Sequence, residues 1–405
     1  MATIAVLGTL DTKGEEHQFV AGLIRTRGHD VVLIDVGTGA PATLEPDFTR
    51  HDVAAAGGKD LDALMAEQDR GSCVVAMSEA APIFLASLAE QGRIDGVISL
   101  GGGGGTAIGT AAMRGLPIGF PKLMVSTLAA GNTAPYLGTK DIVMMPSIAD
   151  VAGLNRLSRT IFSRAAGAIC GMVEAELDDK ATNPLIVASM FGNTTTCVTE
   201  AKRLLEEQGY EVLVFAATGA GGRAMESLIE SGMVSGVLDL TTTELADELA
   251  GGVLTAGPER LEAAAKAGIP TVIGPGCLDM VNFGEMDSVP SKYDGRRFYI
   301  HNPQVTLMRT TPEECAELGK TLANKVNRYS APAAVMIPTK AISVISAEGQ
   351  PFHDPAADDA LFSAIREHSK VEVTELDHQI NDPQFARACA DKLLSLMRSS
   401  STANP

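Results

Sequence analysis

Two stretches of this chain follow one plan, and that repetition limits the folds open to it. Ile4 to Ile34 and Leu185 to Phe215 each read as apolar strand, polar turn, amphipathic helix, glycine and second apolar strand. Gly28-His-Asp-Val-Val-Leu-Ile stands against Gly209-Tyr-Glu-Val-Leu-Val-Phe at the same offset that puts Ile4-Ala-Val-Leu beside Leu185-Ile-Val-Ala. Asp95-Gly-Val-Ile-Ser-Leu and Ser235-Gly-Val-Leu-Asp-Leu repeat at another offset, as connections of unequal length require. Short strands rich in Val and Ile that alternate with helices bury both strand faces only in a parallel sheet wrapped by helices. The expected fold is α/β, with two Rossmann-like doubly wound parallel-sheet domains arising from an internal duplication.

The 405 residues are enough for two or three folding units. The expected domains are 1–176 and 184–398, joined by the polar linker Glu176-Leu-Asp-Asp-Lys-Ala-Thr-Asn183. In the first, strands fall near Ile4–Gly8, Val31–Val36, Gly96–Leu100 and Leu123–Ser126, and helices near Glu15–Arg27, Ser72–Gln91 and Thr106–Arg114. A final helix, capped by Asp382 with Pro383 at its first position, runs to Arg398 and leaves 399–405 as a frayed tail.

Lys and Arg number 32 against 50 Asp and Glu, a formal net charge of -18. Such a chain repels polyanions, and with no Trp and only 5 Tyr it has few platforms for stacking bases, so neither nucleic acid nor an anionic membrane is an expected partner. The start lacks a basic targeting region, and no later apolar stretch is expected to span a bilayer. Six cysteines form no C-x-x-C pair and no zinc spacing, which fits a reducing compartment; the expected location is the cytoplasm.

Ligands of doubly wound sheets gather beyond the carboxyl ends of the strands, so the loops that follow them are where chemistry is sought. The first is Gly8-Thr-Leu-Asp-Thr-Lys-Gly14. It is not a Walker A sequence, yet Lys13 at a helix start supplies a point charge for phosphate, and Asp11 either holds Mg2+ through water or caps the helix. After the second strand, Asp35 and Thr38 are candidates for ribose or phosphate, or simply turn residues. Arg70 precedes a helix and is either a phosphate bridge or a solvated surface charge. After the third strand, Gly101-Gly-Gly-Gly-Gly-Thr106 leaves backbone N–H groups uncovered, a geometry suited to phosphate; a glycine run also serves as a tight turn.

These segments together resemble the family of two-Rossmann-half proteins typified by the ATP-binding domain of the tomato mosaic virus resistance protein. Pro121-Lys-Leu-Met-Val-Ser-Thr127, Gly192 to Val198, Ala217 to Met225, Leu278 to Gly284 and Met308-Arg-Thr-Thr311 carry the resemblance through the rest of the chain. It implies ATP with Mg2+ in the first half, held by Asp11, Thr12, Lys13, Thr38, Arg70 and Gly102, Gly103, Gly104 and Gly105. It also implies a homo-oligomer, dimer or tetramer, and, because the plant protein joins this domain to a barrel-like one, a TIM-barrel partner. The family can carry Ser at the position of Gly103, so one hydroxyl contact would be missing here.

In the second half His301, Arg309, Asp279 and Glu244 form a candidate catalytic set: a proton shuttle, an anion clamp and two orienting carboxylates, each with a structural alternative as a cap, turn or core group. Cys197 near a helix start is either a thiolate nucleophile or a small core residue. The expected function is an ATP- and Mg2+-dependent enzyme acting on a small acidic or phosphorylated metabolite. The alternatives are a non-catalytic nucleotide-stabilised oligomer or partner-binding module, and an NAD-dependent oxidoreductase resting on the glycine loop and Asp35.

Overall fold

A computed structural model describes residues 1–176 and 183–402. The inner part of the expected linker, 177–182, and the last three residues of the tail lie outside the described residues. The chain divides into two compact units, Met1–Asp178 and Asp179–Pro405.

The first unit is built on β1 (Thr3–Gly8), β2 (Asp30–Asp35), β3 (Gly96–Gly101), β4 (Lys122–Ser126) and β5 (Val143–Pro146), all parallel, in the order β2-β1-β3-β4-β5. Side chains on β1 alternate between two apolar layers, because successive Cβ atoms leave a strand on opposite faces. Ala5 and Leu7 pack with Met77 and Ile108, whereas Ile4 and Val6 pack with Phe162 and Ile169. Each fully buried Val, Leu, Ile, Met or Phe side chain contributes roughly 1.5–3 kcal/mol, which is why the central strands read as unbroken apolar runs. β5 had no such signal: it is a four-residue edge strand whose Val143 is exposed.

The second unit contains β6 (Leu185–Met190), β7 (Glu211–Ala216), β8 (Val234–Thr241), β9 (Thr271–Gly276), β10 (Met280–Phe283), β11 (Phe298–Asn302), β12 (Val305–Arg309), β13 (Ala333–Pro338) and β14 (Glu372–Leu376). Six of these form a parallel sheet, β7-β6-β8-β9-β13-β14, which repeats the order of the first unit and adds a strand. The other three form an antiparallel sheet, β10-β12-β11, that the alternation of strands and helices did not foretell.

The duplication is visible in the backbone. Gly28 and Gly209 both sit in the left-handed region, at φ +88° and +87°, where each turns a helix end into the next strand. A methyl at Gly96 would stand 2.7 Å from Val173, and one at Gly236 would stand 2.7 Å from Met397, so both glycines let the last helix of their unit lie close on the sheet. The strand alignment slips by one residue, since Val31 pairs with Ile4 while Val212 pairs with Ile186 rather than Leu185.

Three expectations are corrected. The last helix, Pro383–Thr402, continues past Arg398 into the segment expected to fray. The helix expected from Ser72 begins at Arg70, capped by Asp69, which accepts from Gly71 N–H at 2.9 Å. That helix, Arg70–Glu90, is long and apolar enough to cross a membrane by length and composition, contrary to expectation. It packs Met77, Ala81 and Leu85 against the sheet.

Candidate functional site

In a sheet ordered 2-1-3-4-5 the strand order reverses between β1 and β3, and the loops leaving their carboxyl ends diverge to opposite faces and open a crevice. The structure has a cavity of about 470 Å3 at this point, within the size range of small-molecule sites. All nine residues expected to hold nucleotide line it: Asp11, Thr12 and Lys13 after β1, Thr38 after β2, Arg70 at its helix start, and Gly102 to Gly105 after β3.

The glycine run divides into two parts. A methyl at Gly101 would lie 2.8 Å from Gly105 Cα and 2.9 Å from Thr106 N, so the tight turn itself demands glycine there. Gly102 to Gly105 all have negative φ. A methyl at Gly103 would meet nothing within 4 Å, and at Gly104 and Gly105 it would make only ordinary contacts, the closest 3.7 Å. Gly103 begins the helix Gly103–Arg114, and no side chain caps its first turn. Glycine in a helix costs about 0.5–1 kcal/mol relative to alanine, so a run that packing does not require leaves open space and free N–H groups at a net cost to stability.

Around this crest the cationic groups are of two kinds. Arg70 is exposed and has no ion pair among the described residues; its guanidinium lies 3.9 Å from where a Gly104 methyl would stand. Lys13 is held, its ammonium donating to the Val151 carbonyl with two further N–H groups to spare. Lys13 also departs from helical geometry, at φ -135°, ψ 29°. His17, which no motif in the sequence marks, contributes to this arrangement. Its Nδ1 lies 2.7 Å from the Lys13 carbonyl and so must donate, and its Nε2 accepts from Leu100 N–H at 3.4 Å, which defines a neutral imidazole. Burial lowers its pKa, in keeping with that form. A methyl at Gly8 would overlap this ring at 1.9 Å, so Gly8 makes room for the histidine.

Asp11 is not a cap. Its Oδ2 accepts from Gly39 N–H at 2.9 Å and ties the loop after β2 to the cavity, while its buried Oδ1 has no hydrogen-bond partner. Asp35 is closed off, accepting from Leu10 N–H at 3.1 Å, Gly37 N–H at 2.8 Å and Arg50 Nε at 2.7 Å. It braces the loop bearing Thr38 and has no room for a ribose.

Met65, Cys73, Val74 and Ile108 complete the cavity with an apolar wall. Cys73 and Val74 lie three and four residues beyond Arg70, and so share its helix face once the helix is known to start at Arg70. A helix start placed at Ser72 hid that relation.

The five residues proposed as a catalytic set do not form one. Glu244 is fully buried, accepting from Gly219 N–H at 2.6 Å, Gly222 N–H at 3.2 Å and Arg260 Nε at 2.6 Å. It is an internal anion at the start of the helix Ala220–Glu230. Arg260, itself sealed, also pairs with Asp239 at 2.5 Å and Glu226 at 3.0 Å; burial opposes its charge, and the three carboxylates outweigh that and raise its pKa. Arg309 is buried and spent on Asp358 at 2.6 Å and the Phe352 carbonyl at 2.9 Å. Asp279 is near it but fully buried, its Oδ2 accepting from Ser343 at 2.8 Å, and burial pushes its carboxyl up to about 6. His301 is exposed on β11. Cys197 is fully buried, and burial pushes its thiol up to about 12, so it is a core residue and not a nucleophile. All six cysteines are free and buried.

Fold and site define an α/β protein of two parallel-sheet units, the first of which carries an open glycine crest at its switch point. The chain belongs to the uncharacterised protein family UPF0261: the N-terminal domain of that family matches residues 2–178 and the C-terminal domain matches 183–397. A UPF0261 protein of Clostridium tetani is 50% identical over 97% of this chain and 98% of its own length. The ToMV resistance protein Tm-1(GCR237) of Solanum lycopersicum is 37% identical over 96% of this chain, but the match covers 55% of that protein. Among solved structures, MurG of Acinetobacter baumannii aligns over 98% of this chain and all of its own at 11% identity and a TM-score of 0.22, too low to carry an argument.

Proposed function

We propose that the first unit binds ATP, with Mg2+, and that the protein is an enzyme that spends the nucleotide on a small metabolite. The supporting observation is the crest: four successive glycines that neither backbone geometry nor packing requires, whose free N–H groups face a cavity with an unpaired guanidinium. A helix N-terminus with uncovered amides suits the oxygens of a polyphosphate, Arg70 and Lys13 add charge-assisted contacts, and the wall of Met65, Val74 and Ile108 suits a base.

Asp11 fits a role toward the cation. Its Oδ1 is a buried carboxylate oxygen without a hydrogen-bond partner, on a residue that lines the cavity. Among the described residues no group of three or more acidic, histidine or cysteine side chains is placed to hold a metal. Mg2+ characteristically binds through one or two carboxylates plus substrate phosphates, so a single available carboxylate is what such a site needs.

The NAD alternative loses its ribose acceptor, because Asp35 is committed to Arg50 and two backbone amides. Arg309, the expected clamp for an acidic or phosphorylated metabolite, is already occupied by Asp358. A cytoplasmic homo-oligomer and a TIM-barrel partner remain part of the proposal; the tomato relative, longer than the matched region, motivates the search for a partner.

Calorimetric titration of Mg-ATP into the full chain and into Lys13→Met tests the reading. The wild type should bind and the variant should bind about ten- to a hundredfold more weakly, the worth of one charge-assisted contact at roughly 1.5–3 kcal/mol. No ATP binding by the wild type, or NADH binding that ATP does not displace, refutes it.

A further inference from the structure

A second cavity, of about 450 Å3, opens beside the glycine crest at the ends of β4 and β5 and is lined by Thr127, Ala130, Pro146, Ile148, Ala149 and Asp150. Gly102 adjoins residues of both cavities. It lines the first, and a methyl placed on it would stand 3.9 Å from both Thr127 Oγ1 and Asp150 Oδ1 of the second. Neither the Asp150 carboxylate nor the Thr127 hydroxyl has a hydrogen-bond or ionic partner among the described residues, so both are available to a ligand. The loop that carries Asp150 is tied to the first cavity, since the neighbouring Val151 carbonyl accepts from Lys13. Ile148 is held at φ +65°, a strained conformation for a β-branched residue, and is 77% exposed at the cavity rim.

We propose that this cavity is the acceptor subsite of a phosphoryl transfer, and that its substrate is a neutral hydroxyl compound. The inference rests on the ATP reading of the first cavity. Apart from Thr127 the other walls are apolar, and among the described residues Asp150 is the only charged group lining the cavity, so an acceptor bearing a carboxylate or phosphate would meet like charge there, whereas a neutral polyol would not. Phosphate held on the amides of the crest would lie across Gly102 from Asp150. The acceptor's hydroxyl oxygen forms a bond to the γ-phosphorus while the bond from that phosphorus to the β,γ-bridging oxygen breaks. ADP leaves with that electron pair, and the hydroxyl proton passes to the Asp150 carboxylate as general base; Thr127 orients the hydroxyl.

The experiment follows ADP release from Mg-ATP by the full chain with glycerol, erythritol, ribitol, myo-inositol or glucose, and with glycerate and gluconate as charged controls. ATP affinity is measured in parallel by calorimetry. At least one neutral compound should raise the rate about tenfold or more over the rate in water. Asp150→Asn should lower kcat for that compound by about 10²- to 10⁴-fold, the usual worth of a general base. Ala149→Trp, which fills the cavity, should abolish the stimulation while ATP still binds. If ATP binds and no neutral compound stimulates, or only the carboxylates do, the acceptor assignment falls and the nucleotide reading stands. Restoration of the Asp150→Asn rate by excess Mg2+ would make Asp150 a metal ligand and also overturn it. Failure of the wild type to bind ATP removes both readings.

Discussion

Replacing Gly104 by alanine should move stability and ligand affinity in opposite directions. Gly104 lies in the helical region with negative φ, and a methyl there makes only ordinary contacts, 3.7 Å from Val74 and 3.9 Å from the Arg70 guanidinium. Alanine should therefore stabilise the fold by up to about 1 kcal/mol through backbone entropy, raising the melting temperature of a unit this size by roughly 2–4 °C. The same methyl would occupy the space above the crest and hold a phosphate away from the N–H groups. Loss of one such contact, at roughly 1.5–3 kcal/mol, weakens Mg-ATP by about ten- to a hundredfold or somewhat more. Thermal melts without nucleotide and calorimetric titration measure the two effects separately. Gly101→Ala is the control: its methyl would collide with Gly105 at 2.8 Å, so it should destabilise the fold whatever binds nearby. An alanine at Gly104 that leaves ATP affinity within about twofold of the wild type, or that destabilises the apo protein by more than about 1 kcal/mol, refutes the reasoning.

Other outcomes follow from the second unit. Arg260→Ala leaves Asp239, Glu244 and Glu226 without their shared cation and should cost about 3–5 kcal/mol in chemical denaturation; a loss below about 1 kcal/mol would show that the cluster is not closed. Burial pushes the Asp247 carboxyl from 3.8 up to about 7, so the folded state holds a proton there that the unfolded state has already lost. That contribution to stability is complete below pH 4 and falls away as pH rises through about 7, and Asp247→Asn should flatten the slope across this window. A variant whose pH profile matches the wild type would assign the slope elsewhere. A thiol reagent should find none of the six cysteines in the native protein and all six after denaturation; fast reaction of Cys197 in the native state would restore its nucleophilic reading.

The sequence by itself determined what local chemistry controls. Apolar strands alternating with helices identified a parallel sheet, the glycine shared by Gly28 and Gly209 marked the duplication, and the residue types after β1, β2 and β3 marked the loops of the first cavity. These features are legible because strand burial, left-handed turns and uncovered amides depend on neighbours along the chain. Tertiary structure alone decided which polar residues remain available. Asp35 and Asp11 are both carboxylates beside a glycine turn, yet one is neutralised by Arg50, which comes fifteen residues later, and the other keeps a free oxygen. Glu244 and Arg309 read as reactive groups until Arg260 and Asp358 reach them from distant segments. His17 gave no signal because the Leu100 amide, which fixes its ring together with the local Lys13 carbonyl, is a backbone group on β3 that is brought near only when β3 pairs with β1. Which charges and hydroxyls keep capacity for a ligand depends on what folding pairs them with, and pairing across a sheet is set by distances in space that residue order does not record.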